Sequence, residues 1–155
     1  MISTDLNYPD QLPWPSRSGY TFQDVATFDR SEMQDGRSAQ RQTFEFVPSM
    51  VNVQWDFDSD YQASLFRIWF RDTIHNGAAW FNCPLKTPIG EEHYICRFAS
   101  MYKGPDLVGL CAWRVTATLE MFERPILTGD WAKYPEWWAA RSPFDIAMNH
   151  VWPKA

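Results

Sequence analysis

The sequence predicts a mainly β fold of the α+β kind: an antiparallel β-sandwich or half-barrel carrying one packed α-helix over about residues 60–75. Two observations predict it. Residues 39–124 read in the order strand, strand, helix, strand, strand, strand. Within that block the apolar period is two as far as Phe57, turns helical after Ser59, and returns to two beyond Gly77. The chain has 155 residues, which suits one domain with extensions: an N-terminal arm over 1–17, a body over 18–124 and an aromatic C-terminal arm over 125–155.

Residues 1–17 are polar and broken by Pro9, Pro13 and Pro15. Proline fixes φ and offers no N–H, so this stretch reads as an extended arm, with Leu12 and Trp14 as its anchors. Tyr20, Phe22, Val25 and Phe28 alternate with one slip, which predicts a strand over 19–29 with a bulge. Asp35-Gly36 is a turn signal. Over 39–58, Phe44 and Phe46 share a face; after a break at Pro48, Val51, Val53, Trp55 and Phe57 share one against Asn52, Gln54, Asp56 and Asp58. That alternation predicts a half-buried antiparallel strand.

Ser59 to Gln62 fits a capping box, and Asp60 suits the positive end of a helix dipole. Ala63, Phe66, Phe70 and Ile74 recur at helical spacing, Leu65, Ile68 and Trp69 widen the stripe, and Asn76-Gly77 is a stop. Strands follow at 79–85 and 92–101. In the second, Tyr94, Cys96 and Phe98 form one face. Lys103-Gly104-Pro105-Asp106 reads as a loop. The strand at 110–122 sets Cys111, Trp113, Val115, Ala117, Leu119 and Met121 against a more polar row ending in Glu120 and Phe122.

The chemistry-bearing residues form no catalytic set. Asp56, Asp58 and Asp60 resemble the start of a calcium loop, but Tyr61 stands where glycine is required and Arg67 where glutamate closes the site. Cys83, Cys96, Cys111, His75 and His93 lack the close pairs of a zinc site and read as packed thiols and ordinary histidines. A nucleophile–base pair and a phosphate-binding glycine loop are also missing, so the chain reads as a non-enzyme with no cofactor and no metal. A small hydrolase built on Cys83 or on Asp56 and Asp58 is the rival that this inventory disfavours. The net charge of −5 argues against a sequence-independent grip on nucleic-acid backbone, which needs a basic stripe. The N-terminal residues do not read as a secretion signal, and no apolar run approaches the roughly 20 residues of a membrane anchor.

Aromatic residues make up 17% of the chain, more than a small core requires, and Trp131, Tyr134, Trp137, Trp138, Phe144 and Trp152 crowd the last thirty residues. Interface anchors are enriched in Trp and Tyr, so these six, with Leu12 and Trp14, are the candidate subunit contacts. The alternatives are a tail that folds back on its own body and a carbohydrate-binding module that uses exposed tryptophans.

The central block resembles the minor tail proteins of long, flexible-tailed bacteriophages, the family typified by the lambda minor tail protein M. The resemblance runs over about 90 residues. It is carried by Asp35-Gly36 with Gln40-Arg41, the alternating strand before the helix, the helix ending at Gly77, Ala79-Trp80-Phe81, Cys96-Arg97-Phe98, and the Val-x-Ala-x-x-Glu ending of Val115 to Glu120. It implies a virion protein made in the host cytoplasm. It further implies a homo-oligomeric ring, hexamer or trimer, at or near the tail tip, between the tube above and the hub below. Sheet edges would pair between chains, and acidic residues facing a lumen would ease the passage of DNA without binding it specifically. Tail-tube and tail-completion proteins share the same kind of fold and are the alternatives within this class.

Overall fold

The computed structural model describes residues 4–32, 38–44, 47–126, 129, 133, 135 and 136. The chain divides into two compact units, Met1–Pro125 and Ile126–Ala155. The first unit contains β1 (Ser16–Asp24), β2 (Phe28–Glu32), β3 (Ser38–Gln42), β4 (Ser49–Phe57), α1 (Asp60–Ile68), β5 (Phe81–Lys86), β6 (Glu91–Phe98), β7 (Lys103–Val108) and β8 (Ala112–Met121). Among the described residues of this unit the fold is mainly β and antiparallel with a single helix, as the change of period predicts.

Strands β1, β4, β8, β6 and β5 lie side by side in that order, and β7 pairs with the first half of β8. β8 is therefore the spine: it pairs with β4 from Trp113 to Met121 on one side, and with β7 and then β6 on the other. β1 and β5 stand at opposite ends of this order, yet Tyr20 and Phe22 of one and Pro84 and Lys86 of the other line a single cleft. The sheet thus curls until its ends face each other, which is the half-barrel form of the fold.

Helix α1 fills the concave side. Ser59 caps it, its hydroxyl accepting from the Gln62 N–H, while the Gln62 side chain accepts from the Asp58 N–H at 3.0 Å. Ala63, Phe66, Phe70 and Ile74 are all buried, as the helical spacing requires. After Ile68 the helix widens into a π-helical turn over Trp69–Thr73, in which the Ile74 N–H bonds back five residues to the Trp69 carbonyl. The wider turn brings Trp69 and Phe70 inward together and leaves Ile68 exposed, so Ile68 does not extend the apolar stripe as expected. The chain then reverses through His75, Asn76 and Gly77, all at positive φ. A Cβ on Gly77 would stand 3.0 Å from the Phe70 ring, so glycine serves both the backbone angle and the packing.

Four further expectations give way. Phe28 does not continue the first strand; it opens a separate two-stranded ribbon, β2–β3. Phe44 lies beyond β3 and is exposed, and Phe46 is outside the described residues. The loop expected at 103–106 is the start of β7, where a bulge between Lys103 and Asp106 absorbs Gly104 and Pro105. Gly104 is required there, because a Cβ would come within 2.6 Å of the Arg114 carbonyl oxygen. Cys111 is not a buried strand residue. It sits exposed in the turn between β7 and β8, whereas Cys83 and Cys96 are buried as expected.

Phe66 occupies the centre of the core, and truncation there empties a site that rigid neighbours cannot collapse into. Phe66→Ala is expected to cost about 3–5 kcal/mol of stability, read as a lower urea midpoint at unchanged slope.

Candidate functional site

Tracing the expected contact residues leads first to the N-terminal arm, which is built into the body. Asn82 of β5 bonds to it through both main-chain groups: its N–H donates to the Leu6 carbonyl at 2.8 Å and its carbonyl accepts from the Tyr8 N–H at 2.9 Å. The Tyr8 ring enters the core, stacked on Trp55 at 6.0 Å and edge-on to Trp69 at 5.5 Å. Its hydroxyl donates to the Pro13 carbonyl at 2.8 Å, and the Trp69 indole donates to the Asn7 carbonyl at 3.0 Å. Burial pushes the Tyr8 phenol up, and the neighbouring Cys83 adds to this, so the ring stays neutral.

Leu12 is only 3% exposed and belongs to the chain's own core, so its side chain is not a subunit contact. Trp14, 53% exposed, does present its ring to the surface, at the mouth of the β1/β5 cleft and 6.4 Å from the His93 ring. Trp131, Tyr134, Trp137, Trp138, Phe144 and Trp152 lie outside the described residues.

The acidic triplet is dispersed by its partners. Asp56 accepts from Arg114 at 2.8 Å and from the Gln54 amide. Burial pushes its carboxyl up, but those hydrogen bonds outweigh burial and hold it below its ordinary 3.8. The stabilisation it gives is therefore complete above that value and is lost as the pH falls further. Asp60 accepts from the Trp113 indole, which ties the start of α1 to β8. Burial pushes the Cys83 and Cys96 thiols up, away from the reactive thiolate. Among the described residues no group of three or more His, Cys, Asp or Glu is placed to hold a metal ion, and no helix is long and apolar enough to cross a membrane.

What remains is surface, and its features differ by region. The convex face is polar and internally paired: Arg97 clasps Glu120 through two bonds and lies 4.6 Å over Trp80, Arg114 holds Asp56, and Asn52 links Thr21 to Thr118. Glu120 and Asp56 on that face are each matched by an arginine. The edge of β5 is closed. The arm occupies Asn82, and Pro84, two residues on and pointing the same way, has no N–H to offer. The edge of β7 is blunted by its bulge and Pro105.

Three features are open. The β2–β3 ribbon lies outside the main sheet, and among the described residues its ladder is made only between its own two strands. All of β3 is exposed. The β7–β8 hairpin carries Leu107, Val108 and Leu110 outward at its apex. The cleft between β1 and β5, about 520 Å³, is lined by Trp14, Arg17, Tyr20, Phe22, Lys86 and Glu91. The Tyr20 hydroxyl there is buried and turned toward the Lys86 main chain without a hydrogen bond of good geometry. The apex escapes a reading by alternation because Gly109 interrupts it; its signal is four successive residues, Leu107 to Leu110, with no polar side chain at a turn.

Comparison with protein-family models, with curated proteins and with solved structures found no match to this chain.

The two anchors of the arm separate by experiment. Leu12→Ala is expected to cost about 2–5 kcal/mol in a urea titration, as a core truncation does, whereas Trp14→Ala stays within about 1 kcal/mol of the parent.

Proposed function

We propose that this protein is a ring-forming structural component of a bacteriophage tail, placed at or near the tip where tube meets hub, and that it carries no reaction. Two lines support this reading: the resemblance of the central block to minor tail proteins, and surfaces suited to association instead of chemistry. The observation that carries it is the β2–β3 ribbon. A two-stranded hairpin alone is marginal in water, and this one gains no ladder from its own body among the described residues. A neighbouring subunit in a closed ring, trimer or hexamer, supplies the missing contacts. The closed edges at β5 and β7 leave the ribbon and the β1 edge as the places where main-chain pairing between copies remains open.

A second reading has an observation of its own. The β1/β5 cleft combines the exposed Trp14 ring with Arg17, Lys86 and Glu91, a pairing of aromatic platform and polar groups that suits a sugar. It describes a monomeric glycan-binding module.

The register offers a direct test. Asp24 and Ser49 are partner residues at the ends of β1 and β4, so an Asn-Gly turn can replace residues 25–48 without disturbing the sheet. Purified parent protein is expected to give a ring-sized mass by native mass spectrometry and closed rings by electron microscopy, and the ribbonless variant a folded monomer. A parent that is monomeric at every concentration and binds a glycan array through Trp14 would replace the first reading with the second.

A further inference from the structure

We propose that the apex of the β7–β8 hairpin is a knob that seats in a groove beside α1 of a second copy of this chain. The inference rests on the assembly reading above and assigns it a contact.

The apex is built against the usual chemistry of turns. Val108 and Ala112 are partner residues, and the chain reverses through Gly109, Leu110 and Cys111. Turn positions favour Gly, Asn, Asp, Ser and Pro, which solvate well. Here Leu110 is 97% exposed, with Val108 and Leu107 exposed beside it. A single exposed leucine needs no explanation, but Leu110 on the turn with Leu107 and Val108 at the end of β7 puts three exposed apolar side chains at one projecting tip, which forms a contact element.

The receiving surface lies on the same unit. A groove of about 400 Å³ runs between the outer side of the helix and the approach to β7, lined by Ile68, Phe70, Met101 and Tyr102 with Arg67 and Arg71. Ile68 and Met101 are both exposed. The π-helical turn that draws Trp69 inward is what leaves Ile68 here.

A chain cannot fill its own groove. Met101 and Tyr102 immediately precede β7, Leu110 at the tip of the knob follows it, and the six residues of the strand span about 20 Å at strand rise. Two copies arranged head to tail meet without that restriction. Their charges agree as well. Asp106 stands exposed on the knob's own strand, Arg67 stands in the groove, and among the described residues neither has an ion-pair partner within its own chain. A contact between two different surfaces of one chain repeats from copy to copy, and it closes as a ring when the rotation divides the circle. A bilayer is the poorer occupant, because an interfacial anchor draws on Lys and Arg around its apolar face, and the residues flanking this apex include Asp106 and no cation between it and Trp113.

Cys111, next to Leu110, is the only exposed thiol of the three and reports on the apex directly. In the assembled parent, Cys111 is expected to lose its reactivity toward a maleimide and to regain it on dilution to monomer. Leu110→Asp is expected to keep the circular dichroism and melting temperature of the parent and to lose assembly. In Met101→Cys protein, a short bis-maleimide is expected to join the introduced thiol to Cys111 of another copy, giving a ladder of covalent oligomers. Rings whose Cys111 labels at the monomer rate, or Leu110→Asp rings formed as well as the parent's, would overturn the knob and leave assembly standing. A parent that never associates removes both. A monomer that sediments with phosphatidylglycerol vesicles through Leu110 assigns the apex to lipid and overturns the proposal.

Discussion

Phe66 touches five rings: Trp55 and Phe57 on β4, Trp69 and Phe70 on the π-helical turn, and Tyr102 ahead of β7. Those five belong to segments far apart in the chain, and the curl of the sheet follows from holding them on one ring. The chain of contacts extends from Trp69 to Phe81 on β5 at 5.0 Å, and from Phe81 to Phe98 on β6 at 5.6 Å. A flat sheet would not let β4 and β5 reach the same helix, since β8 and β6 lie between them. Aromatic pairs in tilted and edge-on geometry add to plain burial, which lets a small unit hold a sharply curved sheet.

Curling a sheet brings its two edges together without joining them, and this chain treats the two edges differently. β5 is shielded by the arm at Asn82 and by Pro84 at the next outward position. β1 carries a bulge around Gly19, at φ 67, and keeps Tyr20 and Phe22 directed to the seam. The pattern is one of protection where indiscriminate pairing would cause aggregation, with the ribbon, the β7–β8 apex and the seam left open. Pairing of sheet edges between chains, which the resemblance implies, would fall on β1 and the ribbon in this body. On the convex face Glu120 is held by Arg97 and Asp56 by Arg114.

The elements that depend on local pattern were legible: β4 and β8 through strict alternation, α1 through Ser59, Gln62 and the spacing from Ala63 to Ile74, the stop at Gly77. What escaped depends on contacts distant in sequence. The arm reads as a loose extension because its prolines forbid a strand interior, yet a single parallel bridge to Asn82 and one indole bond from Trp69 dock it, with Tyr8 at the centre. β7 was hidden by Gly104 and Pro105, which signal a turn locally and form a bulge against β8 in the fold. Of the candidate contacts, Trp14 is exposed and Leu12 is core, a distinction that composition alone does not make.

The aromatic excess now needs a divided account. Trp55, Phe57, Phe66, Trp69, Phe70, Phe81 and Phe98 are buried in the unit's own core, together with Tyr8. Their number reflects a small domain that wraps a sheet around one helix, and it carries no information about partners. Among the described residues, the large rings that stay outside are Tyr61 on the helix and Trp14, Phe28 and Phe44 around the seam and ribbon, and the last three bear on association. Phe28 and Phe44 mark the two strands of the ribbon at its base, where Thr27 accepts from both Thr43 and Phe44. Large rings at the base of a polar, exposed hairpin do not stabilise it from within, because a two-stranded ribbon has no interior to bury them in. They become useful only when a second surface covers them. The case for assembly therefore rests less on how many aromatic residues the chain has than on which few its own fold leaves without a place.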